Sequence, residues 1–139
     1  MAKIIFTIDN INYNGGAHFA TFKIASYLCA SGHTVILYSP VKAETPVYAH
    51  VAKGVLITQK KSFADADYIV VPFENSVFFE QIAALKTGHA KKIQWIHIDY
   101  DVWKYVVQDD TEQRRQLLAA YDRIVFVSEN NRNSFLKYF

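Results

Sequence analysis

Residues 3–40, KIIFTIDNINYNGGAHFATFKIASYLCASGHTVILYSP, change their periodicity twice, and this constrains the fold more than any other stretch of the chain. Ile4, Ile5, Phe6 and Ile8 make an almost continuous apolar run, the pattern of a strand buried on both faces of a parallel sheet. The run stops at Asp9. Asn10, Asn12, Asn14, Gly15 and Gly16 are turn formers that free the backbone for a sharp reversal. From Ala17 the spacing becomes helical, and Ala20, Ile24, Tyr27 and Leu28 share one face, the predicted core stripe, with Lys23 outside it. Gly32 supplies a C-cap, and Val35, Ile36 and Leu37 open a second buried strand. The stretch is one βαβ unit. Its loop 9–16 then lies at the carboxyl end of the first strand and against a helix N-terminus, the edge where open α/β sheets bind ligands.

The remaining chain repeats the alternation. Residues 38–53 are expected to be irregular, since Pro40 and Pro46 interrupt a helix or central strand. Val55, Leu56 and Ile57 read as a short third strand, and Tyr68, Ile69, Val70 and Val71 as a buried one ending at Pro72. A helix is predicted to start near Asn75, with Glu74 at its positive dipole end, Phe78, Ile82 and Leu85 as its core stripe, and Gly88 as its stop. Residues 92–98 form the next strand. The aromatic piece 102–107 has no readable state. Asp110 and Gln113 resemble a capping box before a helix over 111–121. Ile124, Val125, Phe126 and Val127 make the last strand, and Ser128 caps a closing helix with Phe135 and Leu136 turned inward. Strands alternating with helices predict a single-domain α/β fold, a doubly wound parallel sheet of Rossmann-like kind.

With 139 residues, 51% of them hydrophobic, the chain has material for one sizeable core and not two. Residues 1–70 carry six Lys/Arg against four Asp/Glu, and residues 71–139 nine against nine, so no basic half points to nucleic acid. The lone cysteine, Cys29, has no internal disulfide partner and reads as a small buried apolar residue in a reducing compartment. No apolar run approaches the roughly 20 residues that span a bilayer. The start MAKIIF passes directly into a strand, leaving no signal peptide, so the expected location is cytoplasmic with at most peripheral membrane contact.

Parallel strands point their carboxyl ends one way, so four loops should share a rim: 9–16, 72–76, 97–101 and 128–131. Gly15 and Gly16 have two readings, a bare backbone approaching a phosphate or sugar hydroxyl, or a turn needing positive φ. Neither GxGxxG nor GxxxxGK[ST] occurs, which leaves a dinucleotide site and a P-loop unsupported. His97, at the end of a buried strand and followed by Asp99 and Asp101, offers a proton-transfer and hydrogen-bonding group; the competing reading is a histidine satisfied by a backbone carbonyl. A metal site of the form His-x-Asp-x-Asp over residues 97–101 is the weakest reading, because no second histidine or cysteine has matching spacing, and no metal is expected. His33 belongs to the opposite edge and reads as structural, while His18, in the first helical turn, is open to either role. The aromatics Phe73, Phe78, Phe79, Tyr100, Trp103 and Tyr105 are explained by core packing or by contact with a sugar ring or lipid. Nucleophilic catalysis has no support: Ser128 is a cap and Cys29 lies mid-helix.

Three segments in order, NGGAHFATFKIASYLCASGHTVILYSP, KKIQWIHIDYD and YDRIVFVSENNRNSFLKYF, resemble the N-terminal domain of family-4, GT-B fold glycosyltransferases, retaining enzymes that use nucleotide sugars. The resemblance covers nearly the whole chain and is weakest over residues 38–61. It implies that Gly15 and Gly16 occupy the family's glycine loop, facing the donor diphosphate across an interdomain cleft. His97 matches the strand-end histidine that contacts the transferred sugar, and Asp99 belongs to the acceptor side. Ile98 departs from the small or polar residue frequent in relatives.

In that family a second Rossmann-like domain holds the nucleotide and sugar, and the sequence stops before a linker into it. The implied function is the acceptor-side half of a glycosyltransferase of bacterial polysaccharide or cell-wall glycan synthesis. It would be inactive alone, with no cofactor beyond a nucleotide-sugar donor substrate, and with a glycan or lipid-linked acceptor. The missing C-terminal domain would make the chain an excised domain, a truncated gene product or a subunit of a split enzyme. Two other readings stand beside it: a non-catalytic binding or partner subunit whose rim docks a second chain, and a small self-sufficient enzyme using His97 and Asp99.

Overall fold

The computed structural model describes residues 1–107 and 111–139. Six strands form one sheet: β1 (Lys3–Thr7), β2 (Thr34–Tyr38), β3 (Leu56–Thr58), β4 (Tyr68–Val71), β5 (Lys91–Ile96) and β6 (Arg123–Phe126). Their order is β3-β2-β1-β4-β5-β6 and every pairing is parallel. The chain starts in the middle of the sheet, builds outward to β3, then crosses back to β4 and builds the other way. This is the expected doubly wound, Rossmann-like α/β fold in one small domain. No helix among the described residues is long and apolar enough to cross a membrane.

The helices are α1 (Gly16–Ala30), α2 (Thr45–Tyr48), α3 (Phe78–Ala84), α4 (Tyr100–Val107), α5 (Thr111–Leu118) and α6 (Glu129–Leu136). Alternate strand residues feed two cores, as a parallel sheet buried on both faces requires. On one face Ile4, Phe6, Val35, Leu37 and Val70 pack with Phe22 and Ala25 of α1. On the other, Ile5, Ile69, Val71 and Ile96 pack with Phe78, Phe79 and Ile82 of α3, Leu118 of α5 and Phe135 of α6. The sole fully buried side-chain amide of the sheet, Gln94, donates from Nε2 to the carbonyls of Val71 and Phe73 at 2.9 and 3.3 Å, bridging β5 to the end of β4.

Several local expectations are corrected. The buried stripe of α1 is Thr21, Phe22 and Ala25, whereas Ile24 and Tyr27 are exposed and Ala20 and Leu28 half-buried. With Lys23 its only charged residue, α1 is apolar nearly all round, so spacing alone did not choose a face. Thr21 enters the core because its hydroxyl donates to the Ala17 carbonyl at 2.8 Å. Helix α3 begins at Phe78 rather than near Asn75, and Glu74, instead of sitting at its dipole, is buried beside β5. Leu85 lies just past the end of α3 and is partly buried. The 38–53 segment contains the single-turn α2 with Pro46 in its first positions, where a missing N–H costs nothing. In α6 Phe135 is buried but Leu136 is exposed. The unread stretch after Tyr100 is helical as α4, and Asp110 of the suggested capping box lies outside the described residues.

Two glycines are held by physical need. Gly32 has φ +98° after the end of α1, where the amides of Gly32 and His33 bond back to the carbonyls of Cys29 and Leu28. Gly54 abuts α1: a Cβ there would stand 2.7 Å from Cys29 Sγ. Gly54→Ala should therefore cost about 1–3 kcal/mol, and Cys29→Ala in the same chain should recover most of that loss. A double-mutant cycle by urea denaturation reads the coupling; equal losses in both backgrounds would show that the clash is not the cause.

Candidate functional site

The carboxyl edge of β1 and β4 opens into a cavity of about 340 Å³ lined by Asp9, Asn10, Tyr13, His18, Phe73 and Asn75. Its wall is built by two loops pinned to each other. Asp9 follows the end of β1, and its carboxylate accepts from Ser76 Oγ at 2.5 Å and from the Val77 amide at 2.9 Å. One side chain thus ties the β1 loop to the start of α3. Across the same loop, Asn12 Oδ1 accepts from the Glu44 amide at 2.8 Å and its Nδ2 donates to the Lys42 carbonyl at 2.9 Å.

Helix α1 approaches this cavity with its N-terminus. Gly15 is its N-cap in extended conformation (φ −152°), with no side-chain cap and no acid in the first turn, so the leading amides are available to an anion. Gly15 has no positive φ, which removes the turn-strain explanation given for it in sequence terms. A Cβ at Gly15 would lie 3.8 Å from His18 Nδ1, and one at Gly16 would meet nothing within 4 Å. Gly16 therefore faces open space.

His18 proves to be the centre of an aromatic series. Its Nε2 lies 2.9 Å from the Asn10 carbonyl, which assigns that nitrogen the proton and leaves Nδ1 as the acceptor beside Gly15. The ring stacks on Phe73 with centroids 4.6 Å apart, Phe73 stands 6.4 Å from His97, and His97 rests on Trp95 at 4.3 Å. Gly15 and His97, from opposite ends of the sequence reading, are thus joined at one rim through His18 and Phe73. His97 itself follows the last residue of β5, one place beyond the observed strand.

Glu74 holds His97 in place. Its buried carboxylate accepts from the His97 amide and, at 2.6 Å, from the Ile98 amide, capping the end of β5 from the end of β4. The Arg114 guanidinium, lying over the rings of Phe79 and Trp103, donates to the Glu74 carbonyl at 3.0 Å. Burial raises the Glu74 carboxyl above the usual range, opposed by the amides of Ile98, Glu74 itself and His97 and by Arg114. Nothing local marks this role in the sequence, because the partners lie more than twenty positions away.

Asp99 and Ser128 have other work. Asp99 accepts from the Asp101 amide at 3.0 Å and from Ser134 Oγ, which starts α4 and fastens it to α6. Ser128 Oγ accepts from the Asn131 amide at 3.0 Å as the predicted cap of α6. Asn131 in turn donates from Nδ2 to the Ile98 carbonyl at 2.5 Å, so the last two rim loops brace the His97 segment rather than line the cavity. His33 lies at the far edge, accepting from the Ala2 amide at 3.0 Å on Nδ1. Phe78, Phe79, Tyr100 and Trp103 are core residues, Phe73 is buried with its ring edging the opening beside Tyr13, and the Tyr105 side chain lies outside what the structure describes. Among the described residues no group of three His, Cys, Asp or Glu side chains is placed to hold a metal ion.

Desolvation, together with repulsion from His18 once that ring is protonated, pushes the His97 imidazole down to about 4, and its Nε2 is buried without a hydrogen-bond partner among the described residues. Tyr13, His18 and Phe73 thus line the opening beside an uncapped helix N-terminus, and the neutral His97 ring lies next to Phe73 with its Nε2 buried. These are groups for binding and orienting a hydroxylated, anionic ligand. No protein-family model and no curated protein matches the chain.

The depressed His97 value makes stability depend on pH. Between about 6.5, the value in an unfolded chain, and about 4, the unfolded state takes up a proton that the folded state refuses. Stability from this group is complete above that window and is lost as pH falls through it. His18, also lowered by burial, acts in the same direction, and Glu74, raised, acts in the opposite one. Since the ring is only partly desolvated, His97→Gln should narrow the stability difference between about pH 7.5 and pH 4.5 by about 1 kcal/mol. Urea titrations at the two pH values measure it, and an unchanged difference would contradict the burial of a neutral ring.

Proposed function

We propose that this chain is the acceptor-side half of a nucleotide-sugar-dependent glycosyltransferase acting in bacterial polysaccharide or cell-wall glycan synthesis. The nucleotide would be held by a second Rossmann-like unit, in the same protein or a partner. The observation that carries the reading is His97, a neutral imidazole at the carboxyl edge whose Nε2 has no hydrogen-bond partner among the described residues, linked through Phe73 and His18 to Gly15. The segments that resemble family-4 enzymes, including the glycine loop and the tryptophan-isoleucine-histidine strand, are the ones that meet there.

The chemistry divides among the residues present. His97 binds a hydroxyl of the transferred sugar, satisfying a nitrogen that is otherwise costly to bury. The bare backbone at Gly15 and Gly16 and the amides opening α1 receive the diphosphate, where the helix dipole stabilises the negative charge that grows on the leaving group. Being neutral near pH 7, His97 orients the sugar and does not protonate the leaving group. Phe73 and Tyr13 supply apolar faces for the sugar rings. Asp99 contributes through the loop it fixes, since its carboxylate is engaged by Ser134 and the Asp101 amide.

The test is reconstitution with the donor-binding half. His97→Ala should lower sugar transfer at least tenfold with little change in melting temperature. Gly16→Val should do the same, because a side chain there meets no protein atom but blocks the approach of a ligand to the backbone. The chain by itself should show negligible nucleotide-sugar affinity by titration calorimetry. Micromolar binding to it alone, or normal transfer by both variants, would overturn the reading.

A further inference from the structure

The strand order divides the helices unequally. Right-handed crossovers put α1 on one face of the sheet and α3, α5 and α6 on the other. The α1 face is therefore roofed over β1, β2 and the inner part of β4, and open over the start of β4, β5 and β6. The floor is Tyr68, Ile93, Trp95, Val125 and Val127, with the buried Val70 at its inner edge, an open apolar trough of about 540 Å³ walled on one side by Ile24 and Leu28 of α1. Ile24 is 42% exposed, Tyr68 39%, Val125 43% and Val127 50%, so apolar surface lies uncovered on both wall and floor.

We propose that this trough is the docking site for one amphipathic α-helix of a partner protein, lying beside α1 and parallel to it, with acidic side chains in its last turn. Three strands at about 4.8 Å spacing span about 10 Å, the width of a single helix. Direction follows from charge. Helix α1 returns against the strands, so its C-terminus lies at their starting ends, where His33 meets Ala2. Lys91 and Arg123, the first residues of β5 and β6, are exposed at that end. Each alternates onto the trough face, in step with Ile93 and Trp95 and with Val125 and Val127. Neither side chain forms an ion pair among the described residues. The nearby carboxylates have other partners: Asp67 accepts from the Lys3 amide and lies 3.2 Å from His89 Nε2, Asp65 lies 3.8 Å from Lys3 Nζ, and Asp122 accepts from the Lys92 amide. A helix parallel to α1 brings its negative carbonyl end and its last-turn acids onto these two cations.

A second copy of this chain is a poorer occupant. Its α1, which carries the exposed Ile24 and Tyr27, has no acid to meet Lys91 and Arg123. The proposal rests on the sheet and its charges and is independent of any sugar chemistry at the rim.

Calorimetric titration of the whole chain with two synthetic helical peptides of about 18 residues tests it. Both carry a leucine stripe at positions i, i+3, i+4 and i+7; one ends in glutamates, the other in lysines. The glutamate-ended peptide should bind with micromolar Kd and the lysine-ended one at least tenfold more weakly. Val125→Glu and Ile24→Glu, both at exposed positions, should each weaken binding at least tenfold with unchanged melting temperature. Lys91→Glu combined with Arg123→Glu should invert the preference. Absent binding or equal binding of the two peptides would overturn the proposal. So would a dimer in sedimentation, or binding to phosphatidylglycerol vesicles, that Val125→Glu abolishes.

Discussion

All-parallel pairing is the constraint on which the rest of this molecule depends. A strand that must pair parallel to its predecessor cannot follow it through a tight turn, so every connection has to return the chain along the length of the sheet. The connections then fall on one face or the other according to the direction in which strands are added. Beginning at β1 in the centre, the chain adds β2 and β3 on one side and β4, β5 and β6 on the other. Both the rim opening at the carboxyl edge and the open apolar trough follow from this order. The first arises where the two directions of growth part, between β1 and β4; the second arises where the outward-going helices have left a face uncovered.

At the parting point the rim is stabilised by long-range polar contacts rather than by apolar packing. Asp9 links the first loop to α3, Glu74 caps the end of β5, and Asn131 reaches the Ile98 carbonyl. Each joins loops that are distant in sequence. A carboxylate buried as Glu74 is carries a desolvation cost, which amide donors and a nearby guanidinium offset. The return on that arrangement is a fixed position for His97, whose ring is left desolvated and neutral. Rigid loops around an unsatisfied polar group are what a binding site needs, because the ligand then meets a formed surface.

The α/β class, the strand at each apolar run and the direction of the rim could be read from the chain because they depend on local signals. Continuous apolar runs of four or five residues, glycine and asparagine turns and the Ser128 cap act within a few positions of one another. The same locality explains the failures. The core face of α1 was misread because an apolar residue sits on nearly every side of it, so tertiary contact with the sheet decided between Ile24 and Phe22. Proximity in sequence places Glu74 at a helix dipole, whereas folding brings to it the two amides that follow the neighbouring strand.

At the rim, the sequence by itself determined that the loop after β1, with Gly15 and Gly16 leading into α1, and the end of β5, with His97, share one edge, since strand polarity in a parallel sheet leaves no other choice. Tertiary structure alone decided which side chains complete the opening. It stacked His18 on Phe73 and turned Asp99 toward Ser134. It also uncovered a sheet face whose residues, read one strand at a time, look like ordinary core. The physical reason is that periodicity records how a segment is buried, whereas the partner that buries it is fixed by where other segments come to rest.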